Sequence, residues 1–237
     1  MKATFNRCFL LAGLGIFIFF CSTVQVSAQN VIGEIVHRMN VHNKALQSLK
    51  ADVTYVKYDA MIKTTDITTG ETTYIPERKK QKLMMRLDWK TENGRSKNDS
   101  MVVKDDKVTM YQPRLNEVII ASIQKGKGNP EVNNIFGFVS MPQGQLRERY
   151  NITFVGEEQI KGGQNTWHLE LTPKVKMSYK SADLWVDSDG MPRQVRMVAL
   201  NNDTTTILLS NLHKNETVKT SIFTIDYDKK KVKVTKK

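Results

Sequence analysis

The chain has 237 residues, a formal net charge of +12 and two cysteines. This length can bury a substantial hydrophobic core, and a content of 40% hydrophobic and 25% charged residues is typical of a globular protein. The composition therefore excludes an intrinsically disordered chain and a membrane protein with several spans.

The N-terminal residues have the three-part pattern of a secretory signal peptide. Lys2 and Arg7 give a positively charged start, residues 9–20 are wholly apolar, and small residues at 27–28 match the site that a signal peptidase cleaves. The apolar run is too short to cross a bilayer core of roughly 30 Å as a helix. We therefore predict a signal peptide at residues 1–28 and an exported single domain at residues 29–237.

Loss of this signal peptide would remove both cysteines, Cys8 and Cys21. An exported chain without cysteine has no disulfide, no thiol nucleophile and no cysteine-bound zinc. Cys21 could alternatively carry a lipid anchor, but Phe19 and Phe20 stand where a lipidation motif has small residues.

Export also changes what the positive charge implies. A strongly basic protein is often a nucleic-acid binder, but an exported protein meets little nucleic acid, so we expect no such partner. An anionic membrane surface or an acidic protein is the better expectation. The alternative is that the charge only keeps the surface solvated.

The exported part begins with an amphipathic segment at residues 31–49. Its apolar residues recur at helical spacing, which predicts a helix that docks one face on another element. His42 lies on this apolar stripe, where a single histidine is more typical of a packed rim residue than of a ligand. The stripe consists of Ile32, Ile35, Val36, Met39, Leu46 and Leu49.

From residue 50 onward the apolar residues alternate with polar ones, which predicts β-strands. The clearest strand is 83–90, where the side chains that alternate with the apolar ones are mostly charged. Asn-Gly at 93–94 and Asp-Asp at 105–106 predict tight turns, and Thr-Gly-Glu at 69–71 predicts another. The strands leave no room for helical crossovers, so we predict an antiparallel meander.

A helical interruption divides the strands into two groups. Residues 126–130 predict a loop, the apolar spacing that includes Phe136 and Val139 predicts a helix, and residues 142–149 predict a second short helix. No change in composition marks a linker, so both groups are predicted to belong to one domain.

Alternation resumes at residue 152 and continues to residue 209. Phe223 and Ile225 predict a last segment that pairs with the sheet. The lysine-rich tail 229–237 predicts a solvated end.

The sequence contains no motif that is typical of a catalytic site. His37 and His42 are five residues apart, so they point in different directions on a helix, whereas zinc hydrolases place two histidines four residues apart. Residues 187–190 resemble the start of a calcium loop, but a hairpin turn explains them. We therefore predict no metal, no cofactor and no enzymatic activity. A secreted hydrolase with its acids on separate strands is an alternative.

Methionine is abundant, and all but the first of the 11 methionines lie in the predicted exported part. Methionine is frequent on surfaces that accept variable apolar ligands, although it also fills gaps in ordinary cores. A single sheet of this length must curl, and two helical segments can cover its concave face only in part. The sequence therefore predicts an apolar cavity that suits acyl chains.

These features resemble those of the outer-membrane lipoprotein carrier and sorting proteins, the LolA/LolB-like family. ALQSLKADVTY and KLMMRLDWK are similar to the family's helix exit and tryptophan strand. The most specific segment is SMVVKDDKVTMYQPRLNEVIIASI, in which Lys107, Tyr111 and Pro113 match the family pattern. LTPK and LWVDSDGMPRQV resemble a later strand exit and hairpin.

The resemblance implies a mainly β fold, an unclosed antiparallel β-barrel or half-barrel with an α-helical lid over a hydrophobic cavity. It implies a monomeric periplasmic carrier that holds acyl chains of a lipoprotein or another lipid and moves it from the inner towards the outer membrane. An inner-membrane ABC transporter would be the donor and an outer-membrane protein the acceptor. The alternative is a periplasmic sensor of the same fold that binds a membrane anti-sigma protein.

Strand alternation and the implied cavity together give the candidate site. At residues 82–84 the sequence has Lys-Leu-Met where the family has an Arg-Pro pair whose arginine latches the lid. Arg78, Lys79, Lys80 and Arg86 are nearby, and the sequence assigns the latch to none of them. The predicted cavity lining is Leu83, Met85, Leu87, Trp89, Met101, Val103, Met110, Trp167 and Leu169, and the predicted lid is Ile35, Met39, Phe136 and Val139.

Overall fold

A computed structural model describes residues 28–122, 141, 143–228 and 230–236. The predicted signal peptide, apart from its last residue, lies outside these ranges. So does the predicted helix that includes Phe136 and Val139. Within the described ranges, no helix is both long enough and apolar enough to cross a membrane.

The described chain consists of two α-helices, two short 3₁₀ helices and 13 strands. The predicted N-terminal helix ends at residue 45 rather than 49, because Leu46 lies in the connection that follows it and Leu49 begins the first strand. The helices are α1 (Ala28–Ala45) and α2 (Gln143–Arg149), with 3₁₀ turns at Pro113–Leu115 and Thr220–Ile222. The strands are β1 (Leu49–Asp59), β2 (Thr64–Ile75), β3 (Met84–Glu92), β4 (Arg95–Ser96), β5 (Ser100–Lys104), β6 (Lys107–Gln112), β7 (Glu117–Ser122), β8 (Tyr150–Gln159), β9 (Asn165–Pro173), β10 (Tyr179–Val186), β11 (Pro192–Ala199), β12 (Thr204–Lys214) and β13 (Lys233–Lys236).

All the described strands belong to one sheet, in which two antiparallel meanders are extended by β13, parallel to β7, and by β4, which pairs with β3. The first meander runs outward from β1 through β2, β3, β5 and β6 to β7, and the second runs from β8 back to β12. The two meanders join where β12 pairs with β1, with Tyr55 opposite Ile207. Strands β8 and β13 end the sheet without pairing with each other. The predicted mainly β, unclosed half-barrel is therefore confirmed.

The main hydrophobic core lies between α1 and one face of this sheet. Ile35, Val36 and Met39 on α1 are buried, and they belong to the same apolar cluster as Leu49 and Val53 on β1. Alternation along the strands places every second side chain on this face. The predicted amphipathic helix and its sheet-facing stripe are confirmed.

The predicted turn at residues 69–71 is wrong, because Gly70 lies inside β2 and the turn is at residues 60–63. Glycine is needed here for space rather than for a turn. A Cβ atom on residue 70 would overlap the backbone oxygen of Asp88 and lie 3.0 Å from Trp89 Cε3. The pairing of β2 with β3 also shifts register between Thr69 and Gly70. Glycine inside a strand often marks such a close approach.

The predicted pairing segment at Phe223 and Ile225 is also wrong. These residues pack in a second apolar cluster, where Phe223 is buried with Ile75 and Val102. Arg86 Nη1 fixes the segment by donating to the backbone oxygens of Ile222 at 2.8 Å and Thr224 at 3.1 Å. Burial of one aromatic ring, rather than a strand ladder, determines where this segment lies.

The lysine-rich tail was predicted to be a solvated end, and this prediction is wrong for its backbone. Residues 233–236 form β13, which pairs in parallel with Glu117–Ile120 of β7. The lysine side chains of β13 remain exposed. Charged exposed residues on a terminal strand are typical of protected sheet edges, and charge alone did not reveal the pairing.

Candidate functional site

A cavity of about 300 Å³ lies on the helix-facing side of the sheet, and this volume is at the lower limit of ordinary ligand pockets. Neighbouring strands β3, β5 and β6 contribute five of the residues predicted to line it: Met85, Leu87, Trp89, Met101 and Met110. The sheet brings these together because Leu87 pairs with Met101, and Met101 pairs with Met110. The full lining is Val53, Tyr55, Lys57, Asp66, Thr68, Met85, Leu87, Trp89, Glu92, Lys97, Met101, Met110 and Ile207.

The other four predicted lining residues lie elsewhere in the described chain. Val103 and Leu169 are buried in the main core, and Leu83 packs against it. Trp167 contributes to a separate surface depression beside Glu157. These four residues share the inward alternation of the strands but lie away from the cavity.

The predicted lid residues Ile35 and Met39 lie on the sheet-facing side of α1, where they are buried in the main core, and none of the described residues that line the cavity comes from α1. Phe136 and Val139 are outside the described residues. Contacts to the β10–β11 hairpin hold the helix in place. Arg38 Nη1 donates to the backbone oxygen of Ser188 at 3.0 Å, and a Cβ on Gly190 would overlap the helix backbone at Arg38. The helix therefore rests directly on this hairpin.

An arginine also holds the C-terminal end of α1. Arg78 Nη2 donates to the backbone oxygens of Asn43 and Leu46, each at 2.6 Å. A cation at this end of a helix also interacts favourably with the helix dipole. Of the basic residues that the sequence left open, Arg78 contacts α1, and Arg86 contacts the C-terminal segment instead.

Aromatic packing shapes one wall of the cavity. Tyr55 and Trp89 meet edge-on, with ring centroids 5.9 Å apart and ring planes at 65°. Such edge-to-face pairs contribute beyond the apolar area that they bury. The space left by Gly70 on the neighbouring strand allows Trp89 to take this position.

One end of the cavity is charged, and we call Lys57, Asp66, Glu92 and Lys97 the cavity mouth. Lys57 and Asp66 are exposed, and Lys97 Nζ forms an ion pair with Glu92 at 2.5 Å. Burial raises the pKa of Asp99, which lies 4.0 Å from Lys97. The cavity therefore has an apolar interior of aliphatic and aromatic side chains and a polar mouth.

Sequence reasoning missed eight of the lining residues. Val53 and Tyr55 showed the alternation of an inward-facing strand, so a signal was present. Glu92 and Lys97 gave no such signal, because the hairpin between β3 and β4 is what brings these two side chains together at the cavity. The described residues contain no cluster of histidine, cysteine, aspartate or glutamate that could hold a metal ion.

A comparison with protein families finds one match that covers more than half of the chain. The family model for the outer membrane lipoprotein carrier protein LolA matches residues 86–226. The chain belongs to the LolA family. This confirms the family resemblance and agrees with the unclosed barrel described above.

Two solved structures, those of a Thermus thermophilus protein and of MucB, show the same fold at low sequence identity. An uncharacterized conserved protein from Thermus thermophilus aligns with a TM-score of 0.54 and 11% sequence identity. The alignment covers 87% of this chain and 99% of the Thermus chain. MucB has a TM-score of 0.55 and 14% identity, covering 87% of this chain, which spans 66% of MucB. A LolA superfamily protein from Nitrosomonas europaea has a TM-score of 0.42 and 14% identity, covering 85% of this chain and 99% of its own. No curated protein matches this chain.

Proposed function

We propose that this LolA-family protein is a periplasmic, non-enzymatic carrier. It holds acyl chains of a lipoprotein or another lipid in the cavity and transfers this cargo from the inner towards the outer membrane. The observation that supports the proposal is the apolar cavity itself, lined by Met85, Leu87, Trp89, Met101 and Met110 in a family described as lipoprotein carriers.

The free energy of such binding comes from apolar area removed from water. Each buried methylene contributes about 0.8 kcal/mol, so an acyl chain that buries five methylenes is held by roughly 4 kcal/mol. Three of the lining residues are methionines, whose flexible side chains adapt to chains of different shape. Release then requires an acceptor that buries a comparable area.

The remaining predicted lining residues have a supporting role in this proposal. Val103 and Leu169 belong to the main core, Leu83 packs against it, and Trp167 lies at a separate depression beside α1. Ile35 and Met39 anchor the lid helix. An inner-membrane ABC transporter as donor and an outer-membrane acceptor complete the proposed route, and the predicted signal peptide delivers the chain to the periplasm.

Displacement of a fluorescent fatty acid by unlabelled lipid tests the proposal. Leu87→Glu places a carboxylate in the apolar interior, so we expect binding to weaken at least about tenfold. Val155→Glu introduces the same charge at an exposed position on β8 and should leave binding unchanged. Both variants need an unchanged circular dichroism spectrum.

Unchanged fatty-acid binding by a folded Leu87→Glu variant would contradict the proposed cavity. A purified protein that binds no acyl lipid but hydrolyses an ester or a glycoside would instead identify it as an enzyme. Either result is decisive, because the proposal requires binding without turnover.

A further inference from the structure

Three exposed apolar side chains lie at the tips of two neighbouring hairpins. Met61 and Ile62 at the β1–β2 tip are 88% and 65% exposed, and Leu200 at the β11–β12 tip is 56% exposed. The tips adjoin because β1 pairs with β12, and the amide of Ala60 donates to Asp203 Oδ1 at 2.9 Å. These side chains are not part of the hydrophobic core. Adjacent exposed apolar residues are typical of interaction surfaces.

The β1–β2 tip satisfies its own backbone hydrogen bonds. Asp59 Oδ1 accepts from the amides of Met61 at 2.9 Å and Ile62 at 3.0 Å. An amide that enters an apolar interface without a partner carries a large free-energy cost. Because the carboxylate already serves both amides, the tip can enter such an interface without leaving these donors unpaired.

Lysines surround the two tips. Lys57, Lys63 and Lys180 are exposed, and the chain as a whole carries a formal charge of +12. Asp59 and Asp203 accept hydrogen bonds from backbone amides of the β1–β2 tip, and the hydrogen bond from Ala60 lowers the pKa of Asp203. A third acid, the exposed Asp66, lies opposite Lys57 on the neighbouring strand. Apolar residues flanked by lysines complement a bilayer that contains anionic lipid headgroups.

The tips lie at the same end of the sheet as the cavity mouth. Lys57 of the mouth is on β1, two residues before the strand ends at the β1–β2 tip, and Asp66 is near the start of β2. A bilayer that receives Met61 and Ile62 therefore lies beside the opening of the apolar cavity.

We propose that the β1–β2 and β11–β12 tips, through Met61, Ile62 and Leu200, dock the protein on an anionic bilayer and bring the cavity mouth to the lipid. The docking itself goes beyond the proposed carrier function. Only the exchange of cargo after docking rests on that function. The partner is the lipid surface, recognised by apolar insertion and by charge.

Flotation with lipid vesicles tests this proposal on the protein purified from the exported fraction, with its N-terminus determined by mass spectrometry. The vesicles are phosphatidylcholine alone and an equal mixture of phosphatidylcholine and phosphatidylglycerol. Met61→Ser combined with Ile62→Ser should lower partitioning to the mixed vesicles at least about tenfold. Lys63→Gln combined with Lys180→Gln should lower it for the mixed vesicles only.

A matched control removes two exposed apolar residues elsewhere. Val41 on α1 and Val155 on β8 are 52% and 55% exposed, so Val41→Ser combined with Val155→Ser should leave partitioning unchanged. Equal partitioning of the Met61→Ser, Ile62→Ser variant and the wild type to the mixed vesicles would overturn the proposal. A wild-type protein that does not bind the mixed vesicles would also overturn it. A change from dimer to monomer in that variant would also overturn it, by assigning the tips to a second copy.

Fatty-acid binding without vesicles separates this proposal from the carrier function. A tip variant that loses docking but keeps the wild-type affinity for fatty acid supports the docking surface. A wild type that docks on vesicles but binds no fatty acid contradicts the carrier function and leaves the docking surface intact.

Discussion

Gly70 and Trp89 face each other across the pairing of β2 with β3, and the absent side chain of Gly70 leaves the space that Trp89 needs. Trp89 in turn meets Tyr55 edge-on in the cavity wall. A position on β2 that does not itself line the cavity therefore determines the position of an aromatic residue that does.

The first prediction concerns this close approach. In Gly70→Ala the new methyl group overlaps backbone atoms of the neighbouring strand, so we expect a loss of about 1–3 kcal/mol in the free energy of unfolding. Urea denaturation measures it. Gly144→Ala in α2 is the control, because a Cβ there meets no atom within 4 Å. Equal urea midpoints for wild type and Gly70→Ala would contradict this prediction, because they would show that β2 and β3 accommodate the methyl group without a loss in the free energy of unfolding.

The second prediction concerns the C-terminal end of α1. Arg78→Gln removes the guanidinium that binds the backbone oxygens of Asn43 and Leu46. We expect faster amide hydrogen exchange in the last turn of α1 and a stability loss of about 1 kcal/mol. Lys79→Gln removes a neighbouring exposed charge and should change neither quantity. Unaltered exchange in Arg78→Gln would show that this arginine does not hold the end of α1.

The third prediction concerns the pH dependence of stability. In the described part of the chain, His42 Nε2 is buried without a hydrogen-bond partner. Burial lowers the pKa of His42 below 6.5; Lys214 adds to this, while Asp187 and Asp189 oppose it. The unfolded chain therefore binds this proton more readily, so stability is retained above about pH 6.5 and declines as the pH falls below it.

His42→Gln should remove this contribution. The difference between the urea midpoints at about pH 7.5 and about pH 5.5 should be smaller in the variant than in the wild type. Every other residue is the same in the two proteins, so the comparison isolates His42. An identical difference in the two proteins would contradict the assignment.

The fourth prediction concerns the edge strand β13. Val234→Pro places a residue without an amide hydrogen, and with a fixed backbone angle, in the segment that covers β7. Exposure of the β7 edge should then cause concentration-dependent association, measured by light scattering after size-exclusion chromatography. Val234→Thr keeps the amide and should remain like the wild type. A monomeric Val234→Pro variant at all concentrations would show that β13 does not protect the edge.

Sequence alternation predicted the cavity wall on β3 because this strand is apolar on one side and mostly charged on the other. It placed Met85, Leu87 and Trp89 correctly on one face, but it could not distinguish a cavity-lining residue from a core residue such as Leu169. Both kinds share the same period, and only the curvature of the sheet separates them.

The errors arose where one residue type serves two purposes. Glycine is favoured both in turns and where strands approach closely, so Gly70 was taken for a turn. Phe223 has the apolar character of a strand residue, but it is buried in the second apolar cluster. Arg86, which is distant in the sequence, holds this segment in place through the backbone oxygen of Ile222. Contacts between distant segments have no local period and therefore leave no local signal.

The most direct test of the carrier function is native mass spectrometry of the protein purified from the exported fraction without detergent. We predict a population whose mass exceeds that of the protein by one or more acyl lipids or by a lipid-modified protein, and Leu87→Glu should deplete it. A wild-type protein that carries no lipid and remains unliganded after incubation with lipoprotein or fatty acid would contradict the account.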